Sequence, residues 1–273
     1  MATGYLERRL SIAAPDGVQI PAVEVCPTTT TLASIILLHG ITTHKDEFGD
    51  FFVLLAQAFA RAGIASLRID FRGHGESAES SRKFSIASQV LDTITATTWL
   101  AERFRSRVHL LACSFGSPPA IFASAMKPSL VATLNLICPV LDYDATFLRP
   151  TTAWASELFN EQTIQRAFSE GTLRMNDTFV IDVKLLVEMN LIDPVAVLRR
   201  IASPTLIIHG EADSMVPASI SQERTQGLDH VRLRLLPGMD HGYYDAEDET
   251  GQSPASERNL RRIIDEVCSH VLG

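Results

Sequence analysis

The stretch Leu110–Pro119 contains a serine in a setting that suits nucleophilic chemistry. An apolar run, Val108–Ala112, leads towards Ser114, and Gly116 and two prolines follow, as suits the first turn of a helix. A sharp turn between a strand and a helix needs small residues on either side of the serine, because neighbouring backbone approaches closely there. Such a turn would expose the Ser114 hydroxyl beside a helix N-terminus, whose amides favour developing negative charge. The pattern AxSxG by itself also fits an ordinary turn serine.

Two loops downstream of Ser114 offer the base and the acid that a nucleophilic serine needs. A serine hydroxyl is a weak nucleophile, so it requires an imidazole base, which is in turn oriented by a carboxylate. Asp213 follows the apolar run Thr205–His209, and His241 follows the run Val231–Leu236. Functional residues of open α/β sheets lie beyond the carboxyl ends of the strands. We therefore predict that Ser114, Asp213 and His241 meet at one edge of a sheet.

Two other aspartates compete with Asp213 as the orienting acid. Asp240 adjoins His241 in the sequence, but the side chains of neighbouring loop residues usually diverge. Asp142 follows the apolar run Ala132–Cys138 and is expected either to orient the imidazole or to contact substrate. Asp213 is the preferred acid, and the sequence leaves the other two open.

The elements that position these residues alternate between apolar runs and helical patterns. Runs with strand character are Leu6–Ile12, Val18–Val25, Ser34–Leu38, Ile64–Ile69, Val108–Ala112, Ala132–Cys138, Thr205–His209 and Val231–Leu236. The first two alternate polar and apolar residues, as half-exposed antiparallel strands do, whereas most of the others are almost wholly apolar. Such apolar runs suit strands buried on both faces of a parallel sheet. The alternation predicts a parallel sheet with helices on both faces.

Helical periodicity appears between and after these runs. One helix face is predicted from Phe48, Phe51, Phe52, Leu55 and Phe59, with Gly63 as the stop. Further helices are predicted over Ser85–Arg105 and over Glu257–Leu272, the latter with Ser256 as its N-cap.

The segment Asp142–Ser203 breaks this rhythm, because it shows helical patterns and no convincing strand. Helices fit Ala155–Glu170, Thr178–Asn190 and Pro194–Arg200. So long a connection is unusual within a compact domain, and we interpret it as a helical cap inserted over the edge of the sheet. The expected organisation is a core formed by residues 1–141 and 204–273, interrupted by a cap at 142–203.

Aromatic residues are slightly enriched in this cap. They are Tyr143, Phe147, Trp154, Phe159, Phe168 and Phe179. They suit an apolar or aromatic acyl pocket, and they equally suit the burial of the cap's own amphipathic helices.

Composition excludes several classes of protein. The 273 residues are 46% apolar and 21% charged, an ordinary globular balance, and the net charge of −8 without a basic stripe argues against nucleic-acid binding and against attachment to anionic lipid.

Four cysteines without a CxxC indicate neither a zinc ribbon nor a disulfide framework, and no pair of histidines and carboxylates has metal-ligand spacing. The charged N-terminus lacks the apolar run of a signal peptide, and the stretches Val25–His44 and Val108–Met126 are not apolar throughout. We expect a soluble, cytoplasmic protein with no membrane partner.

Four sequence blocks, taken in order, resemble the α/β-hydrolase superfamily over nearly the whole chain. They are His39–Gly40, DFRGHGES at 70–77, the turn at Ser114 and the Asp213/His241 pair. The resemblance implies an α/β-hydrolase fold, with a mostly parallel eight-stranded sheet, helices on both faces and a helical cap. The stretch HGITTHKDEFGDFF at 39–52, followed by DFRGHGES, is most similar to bacterial cinnamoyl and feruloyl esterases.

The resemblance also implies roles for individual residues. Ser114 would be the nucleophile, His241 the general base and then acid, and Asp213 the orienting acid. The oxyanion hole would consist of the backbone amides of Ile41 and Phe115, which together are worth several kcal/mol in the transition state of such enzymes.

Other polar residues in these blocks are expected to be structural. Asp70 and Arg72 would brace the loop that contains them, and His39 and His74 would be satisfied by internal hydrogen bonds. Cys113 precedes the apex of the turn, where its side chain should point away from the nucleophile.

The function predicted from these observations is a serine hydrolase that cleaves carboxylic esters, with an aromatic or medium-length acyl group as the expected substrate. An acyl-thioester hydrolase or acyltransferase would use the same residues, and a non-catalytic ligand-binding protein of the same fold is a third possibility. Asp142 and Trp154 are the candidate substrate contacts. No cofactor and no metal are implied, the expected partner is a small-molecule ester or thioester, and the sequence makes no prediction of oligomeric state.

Overall fold

An eight-stranded sheet runs through the middle of the protein, whose computed structural model describes residues 4–248 and 250–273. Within these residues the strands are β1 (Tyr5–Ala13), β2 (Gln19–Pro27), β3 (Ala33–Leu38), β4 (Ile64–Ile69), β5 (Val108–Cys113), β6 (Val131–Ile137), β7 (Thr172–Arg174), β8 (Val180–Asp182), β9 (Thr205–Gly210) and β10 (Val231–Leu236). All but β7 and β8 belong to the large sheet, in the order β1-β2-β4-β3-β5-β6-β9-β10.

Strands β4, β3, β5, β6, β9 and β10 are mutually parallel, and the antiparallel pairs of the large sheet are β1 with β2 and β2 with β4. The predicted mostly parallel eight-stranded sheet is thus confirmed. Because the strands are parallel, the carboxyl ends of β3, β5, β6, β9 and β10 meet at one edge. The strand order reverses between β3 and β5, and open α/β sheets bind ligands in the crevice at such a reversal.

Helices cover both faces of the sheet. They are α1 (Phe51–Arg61), α2 (Ile86–Phe104), α3 (Ser117–Met126), α4 (Ala153–Leu158), α5 (Glu161–Glu170), α6 (Val183–Leu191), α7 (Pro194–Leu198), α8 (Ala218–Thr225) and α9 (Pro254–Leu272). None of the helices within the described residues combines the length and the apolar character needed to cross a membrane.

Alternate residues of each strand contribute to two separate cores. Ile36 and Leu38 of β3 pack with α2 and α3, whereas Ile35 and Leu37 pack with α1 and α9. All four side chains are fully buried, and burying an aliphatic side chain of this size contributes about 1.5–3 kcal/mol. The apolar runs seen in the sequence therefore reflect burial on both faces of the sheet.

Two predicted helix starts were wrong by a few residues. Phe48 lies before α1 in a short 3₁₀ turn and its ring is 71% exposed, so it is not part of the buried helix face. The N-cap of α9 is Ser253 and not Ser256: the Ser253 hydroxyl accepts a hydrogen bond from the Ser256 amide, and Pro254 begins the helix. A proline suits the first helical position, where its missing N–H leaves no bond unmade.

The segment 142–203, here called the insert, differs from its prediction in containing two strands. β7 and β8 form an antiparallel hairpin, so the helix predicted from Thr178 begins only at Val183. Asn176 sets the hairpin turn, because its side-chain oxygen accepts hydrogen bonds from the Thr178 and Phe179 amides. Three-residue strands are too short to show a recognisable alternation, which is why the sequence did not reveal them.

Candidate active site

Ser114 lies on a tight turn between β5 and α3, at the reversal point of the sheet. Its φ of 51° is in the left-handed region, which is costly for a residue with a side chain and persists where the surroundings enforce it. The tight packing around this turn is seen at Gly116, where a Cβ atom would lie 2.4 Å from the Leu38 carbonyl oxygen. The small residue after the serine is therefore required by the close approach of β3.

Two backbone amides lie near this turn without a protein acceptor among the described residues. The Phe115 amide is in the first helical turn after Ser114, where N–H groups have no partner within the helix. The Ile41 amide belongs to the turn that follows β3, and Ile41 lines the same cavity as Ser114. This turn adjoins the serine, since a Cβ built on Gly40 would lie 3.2 Å from the Ser114 Cβ.

The structure brings Asp213 and His241 into direct contact. The His241 Nδ1 atom lies 2.9 Å from Asp213 Oδ2 and 3.1 Å from Oδ1. Because the carboxylate can only accept, Nδ1 carries the proton, and Nε2 of the neutral ring is left as an acceptor. His241 and Ser114 line one cavity, although no hydrogen bond joins their side chains among the described residues. Hydrogen bonds of this kind commonly tighten only when substrate binds.

The contact changes the acidity of both groups. Burial by itself would lower the pKa of the His241 imidazole, but the Asp213 carboxylate outweighs burial and raises that pKa well above the usual 6.5. Burial would likewise raise the pKa of the Asp213 carboxyl, but His241 and His209 hold it well below its usual value of 3.8. The pair therefore keeps a buried, ionised carboxylate next to an imidazole that readily takes up a proton.

The two competing aspartates have other partners. Asp240 Oδ1 accepts hydrogen bonds from the Ser214 and His241 amides, and it makes no contact with the imidazole among the described residues. Asp142 accepts from the Ala145 amide and pairs with Arg224. Asp142 is not among the described residues that line the cavity, so the structure does not place this predicted substrate contact at the site.

His209 is a second histidine on the Asp213 carboxylate, and sequence reasoning missed it. Its Nε2 atom lies 3.2 Å from Asp213 Oδ2 and 2.9 Å from the Val216 carbonyl oxygen. Both of these atoms are acceptors, so Nε2 carries the proton, and Nδ1 lies 2.8 Å from the Ser221 hydroxyl. The signal in the sequence was a polar residue at the end of an otherwise apolar buried strand.

Cys138 is, after His209, another neighbour of the Asp213–His241 pair. It follows β6 with a φ of 45°, its side chain is fully buried, and its thiol contributes to the raised pKa of His241. The ligating atoms of Cys138, Asp213 and His241 lie within 4.8 Å of one another, which makes them the one group in the described part of the chain that could hold a metal ion. Without an ion, the histidine and the carboxylate satisfy each other. Burial raises the pKa of both the Cys138 and Cys113 thiols, as expected for unreactive cysteines.

The loops around the site are braced by the residues expected to be structural. Asp70 is fully buried and accepts hydrogen bonds from the Lys45 backbone and ammonium groups. Arg72 forms an ion pair with the buried Asp92. His74 Nε2 accepts from the Thr42 amide at 3.3 Å. The Asp70 and His74 contacts tie the loop after β4 to the loop after β3, and the Arg72 ion pair ties it to α2.

The cavity in front of Ser114 has a volume of about 950 Å³. Part of its wall is apolar and is formed mainly by the insert and by the loop after β9, through Phe147, Trp154, Leu158, Met175, Met215 and Val216. Trp154, a predicted substrate contact, is held in place by a hydrogen bond from its indole N–H to the Met215 carbonyl oxygen at 3.0 Å. Four of the other aromatic residues of the insert are buried: Tyr143, Phe147, Phe159 and Phe179. Of these four, Phe147 also lines the cavity, whereas Phe168 is exposed.

The charged side chains that line the cavity are acidic, apart from two histidines. The acidic ones among the described residues are Glu47, Asp50, Asp240, Asp245 and Asp248. No lysine or arginine of the described chain lines the cavity. The cavity is thus lined by acidic groups without a compensating lysine or arginine among the described residues.

Comparison with known proteins places the chain in a family. Residues 35–251 match the family model described as the alpha/beta hydrolase family. The chain is 24% identical, over 244 residues, to the pimeloyl-[acyl-carrier protein] methyl ester esterase of Nitrosomonas europaea, covering 78% of this chain and 90% of that protein.

Solved structures show the same fold. Est1E from Butyrivibrio proteoclasticus with bound ferulic acid has a TM-score of 0.78 at 19% identity, over 97% of this chain and 100% of that one. An esterase from Pyrococcus furiosus has a TM-score of 0.69 at 18% identity, over 99% and 92%. The family match spans most of the sequence and includes the Ser114 turn, Asp213 and His241, so this chain belongs to the alpha/beta hydrolase family.

Proposed function

We propose that the protein is a serine hydrolase of carboxylic esters in which Ser114, His241 and Asp213 form the catalytic triad. The observation that carries the proposal is the contact of 2.9 Å between His241 and Asp213, in a cavity that also holds the strained Ser114 turn. A serine with a positive φ and an imidazole oriented by a buried carboxylate are the parts that acyl transfer requires.

The proposed reaction uses each part in turn. The Ser114 Oγ attacks the ester carbonyl carbon while His241 Nε2 takes its proton, and Asp213 stabilises the imidazolium that forms. The oxyanion accepts hydrogen bonds from the Ile41 and Phe115 amides. As the tetrahedral intermediate collapses, the alcohol leaves with the proton from His241. Water then hydrolyses the acyl-enzyme by the same route.

The apolar wall supports an ester with an apolar or aromatic acyl group. Phe147 and Trp154 both line the cavity, with their ring centroids 6.0 Å apart in an edge-to-face arrangement, and aromatic side chains of this kind pack well against such a group. The structural neighbour that holds ferulic acid is consistent with an aromatic acyl group. The relative named as a methyl ester esterase is consistent with ester cleavage. The resemblance of residues 39–52 and 70–77 to cinnamoyl and feruloyl esterases favours the same substrates. We further propose that residues 142–203 act as a cap domain that forms this wall.

The charge of the cavity favours esters over thioesters carried on anionic groups. Five carboxylates and no lysine or arginine line it among the described residues, whereas coenzyme A and acyl-carrier proteins are strongly anionic. A cavity lined by one sign of charge repels ligands of the same sign and slows their association. We infer that any thioester that the protein hydrolyses is an uncharged one.

The first experiment tests catalysis. Wild-type protein should give a burst of p-nitrophenol from p-nitrophenyl acetate and should be labelled by a fluorophosphonate, and Ser114→Ala should lose both. Retention of the burst in Ser114→Ala would contradict the assignment of the nucleophile. Tight binding of small ligands, without turnover or labelling of the wild type, would identify a non-catalytic binding protein.

The second experiment tests the charge argument. One acyl group is presented as its N-acetylcysteamine thioester and as its coenzyme A thioester, which differ in charge but not in the reacting bond. We expect kcat/KM for the coenzyme A form to be lower by about 10-fold or more at low salt, with the gap narrowing as salt screens the repulsion. Asp50→Asn should narrow the gap, and Asp229→Asn, at an exposed aspartate outside the cavity wall, should not. Equal kcat/KM for the two thioesters would overturn the inference.

A further inference from the structure

Glu47 occupies an unusual position for a carboxylate in this site. It lies in the loop after β3, is only 8% exposed, and lines the cavity. Its Oε1 atom accepts a hydrogen bond from the Gly40 amide at 2.6 Å, and its Oε2 atom accepts one from the Phe48 amide at 3.0 Å. Its backbone has a φ of 60°, which is unfavourable for glutamate and must be imposed by the surrounding structure. Backbone strain of this kind is found most often at functional sites.

The Glu47 carboxylate stands close to the nucleophile. A Cβ atom built on Gly40 would lie 3.3 Å from Glu47 Oε1 and 3.7 Å from Ser114 Oγ. The glycine therefore has a side-chain carboxylate and the reactive serine as neighbours. A larger residue at position 40 would push against both.

The peptide group between Gly40 and Ile41 is held from its carbonyl side. His39 Nε2 accepts from the Phe71 amide at 3.1 Å, so His39 Nδ1 carries the proton and donates to the Gly40 carbonyl oxygen at 2.7 Å. Burial lowers the pKa of His39, which keeps this ring neutral and the pattern intact. In a trans peptide the N–H points opposite to the C=O, so holding the Gly40 carbonyl aims the Ile41 amide.

The preceding peptide group, between His39 and Gly40, is held by Glu47. The hydrogen bond to the carboxylate is charge-assisted and therefore stronger than one between neutral groups. Two consecutive peptide planes are thus clamped, one by His39 and one by Glu47. The Ile41 amide that follows has no protein acceptor among the described residues and is available to a ligand.

We propose that Glu47 is a positioning residue, which fixes the Gly40 peptide so that the Ile41 amide is aimed at the oxyanion. This inference rests on the proposed function, because it assumes that Ser114 forms a tetrahedral adduct. Glu47 does not touch the reacting atoms. It acts through the Gly40 backbone, and it should matter more in the transition state than for binding of substrate.

The test compares three substitutions at position 47 in p-nitrophenyl ester hydrolysis. Glu47→Ala removes both hydrogen bonds and should lower kcat by about 10–100-fold, with KM changed by less than about threefold, because a misplaced donor weakens the transition state selectively. Glu47→Gln keeps an oxygen that can accept from the Gly40 amide and should restore kcat to within about fivefold of wild type. Glu47→Asp keeps the charge but is shorter, and should resemble Glu47→Ala.

A second readout separates positioning from a general structural role. A trifluoromethyl ketone forms a tetrahedral oxyanion adduct with the serine, so its inhibition constant should weaken in parallel with kcat/KM across the three variants. The matched control is Asp46→Ala in the same loop, which loses the 2.6 Å ion pair with Arg68 but leaves the Gly40 amide untouched. This control should keep wild-type kcat.

Four results would overturn the proposal. They are a kcat for Glu47→Ala within twofold of wild type, a Glu47→Gln variant as impaired as Glu47→Ala, an unchanged inhibition constant for the ketone, or an equal loss in Asp46→Ala. Failure of the proposed function itself looks different, since the wild type would then neither turn over p-nitrophenyl esters nor bind the ketone. If Glu47→Ala does not fold, as judged by circular dichroism, the Glu47→Asp and Glu47→Gln pair decides the question.

Discussion

The buried His209 ring shares the Asp213 carboxylate with His241. His209 Nε2 lies 3.2 Å from the same Oδ2 atom that His241 Nδ1 approaches at 2.9 Å. The Met215 and Val216 amides also donate to Asp213, both to Oδ1, at 2.9 and 2.8 Å. Asp213 therefore has several donors besides the imidazole it would serve, and its orientation does not depend on His241 alone.

The His209–Asp213 contact predicts a partial loss of activity in His209→Leu. The substitution removes one donor to Asp213 and leaves the Val216 carbonyl and Ser221 hydroxyl groups unpaired, which costs about 1–3 kcal/mol of stability for each buried group. We expect kcat to fall by about 10-fold and the melting temperature to decrease. Ser221→Ala is the control, because it removes only the partner of Nδ1, 2.8 Å away, and should keep kcat near wild type. A wild-type kcat in His209→Leu would show that the contact has no role in catalysis.

The Asp213–His241 pair predicts a particular pH dependence. In the proposed mechanism His241 must be neutral to accept the Ser114 proton, and Asp213 raises the pKa of His241 above 6.5. Activity should therefore rise with pH through a midpoint above 6.5. In Asp213→Asn the carboxylate is gone and burial dominates, so the midpoint should move to lower pH while kcat falls by about 10⁴-fold. The measurement is kcat/KM between pH 5 and 10. An unchanged midpoint in Asp213→Asn would mean that another group orients the imidazole.

The tight packing at Gly116 predicts that even one methyl group is not tolerated there. In Gly116→Ala the new Cβ would lie 2.4 Å from the Leu38 carbonyl and 2.6 Å from the His39 carbonyl, and backbone atoms cannot move aside cheaply. We expect a marked loss of both melting temperature and esterase activity. Ala112→Gly is the comparison on the other side of Ser114: it should cost about 1 kcal/mol of stability and leave activity within a few-fold. A collapse of activity in Ala112→Gly would mean that the turn has been misassigned.

His109 lies outside the candidate site, and its burial leads us to predict that the protein loses stability in mild acid. Burial lowers its pKa to about 4, and its Nδ1 atom lies 2.8 Å from the Thr133 hydroxyl. Because the folded state keeps His109 neutral while the unfolded state takes up a proton near pH 6.5, the stabilising effect is complete above pH 6.5 and is lost as the pH falls towards 4. The slope approaches about 1.4 kcal/mol per pH unit for this one group.

Urea unfolding at several pH values from 7.5 to 4.5 measures this slope. His109→Gln cannot take up the proton, so its stability should depend less on pH than that of the wild type over the same range. Equal slopes would assign the acid sensitivity to other histidines whose pKa is lowered by burial, such as His74 and His39.

The sequence allowed prediction wherever a regular hydrophobic pattern is followed by a residue type that can do chemistry. The apolar runs predicted the sheet strands to within a few residues, because strands buried on both faces must be apolar. The strand–helix order and the residues that follow β5, β9 and β10 predicted which side chains meet, because parallel strands bring their carboxyl ends to one edge. Ser114, Asp213 and His241 could be selected on this ground, and their catalytic roles remain our proposal.

The tertiary structure decided what depends on contacts between segments far apart along the chain. The sequence preferred Asp213 but left Asp240 and Asp142 open, since all three follow strands. The three-dimensional distances show that Asp213 is the one in contact with the imidazole. The β7–β8 hairpin, the cavity wall of one charge, and the positions of His209, Cys138 and Glu47 were likewise outside the reach of pattern reasoning. A hydrogen bond such as that from the Gly40 amide to Glu47 depends on a strained turn of the backbone, and such a turn cannot be recognised from residue types alone.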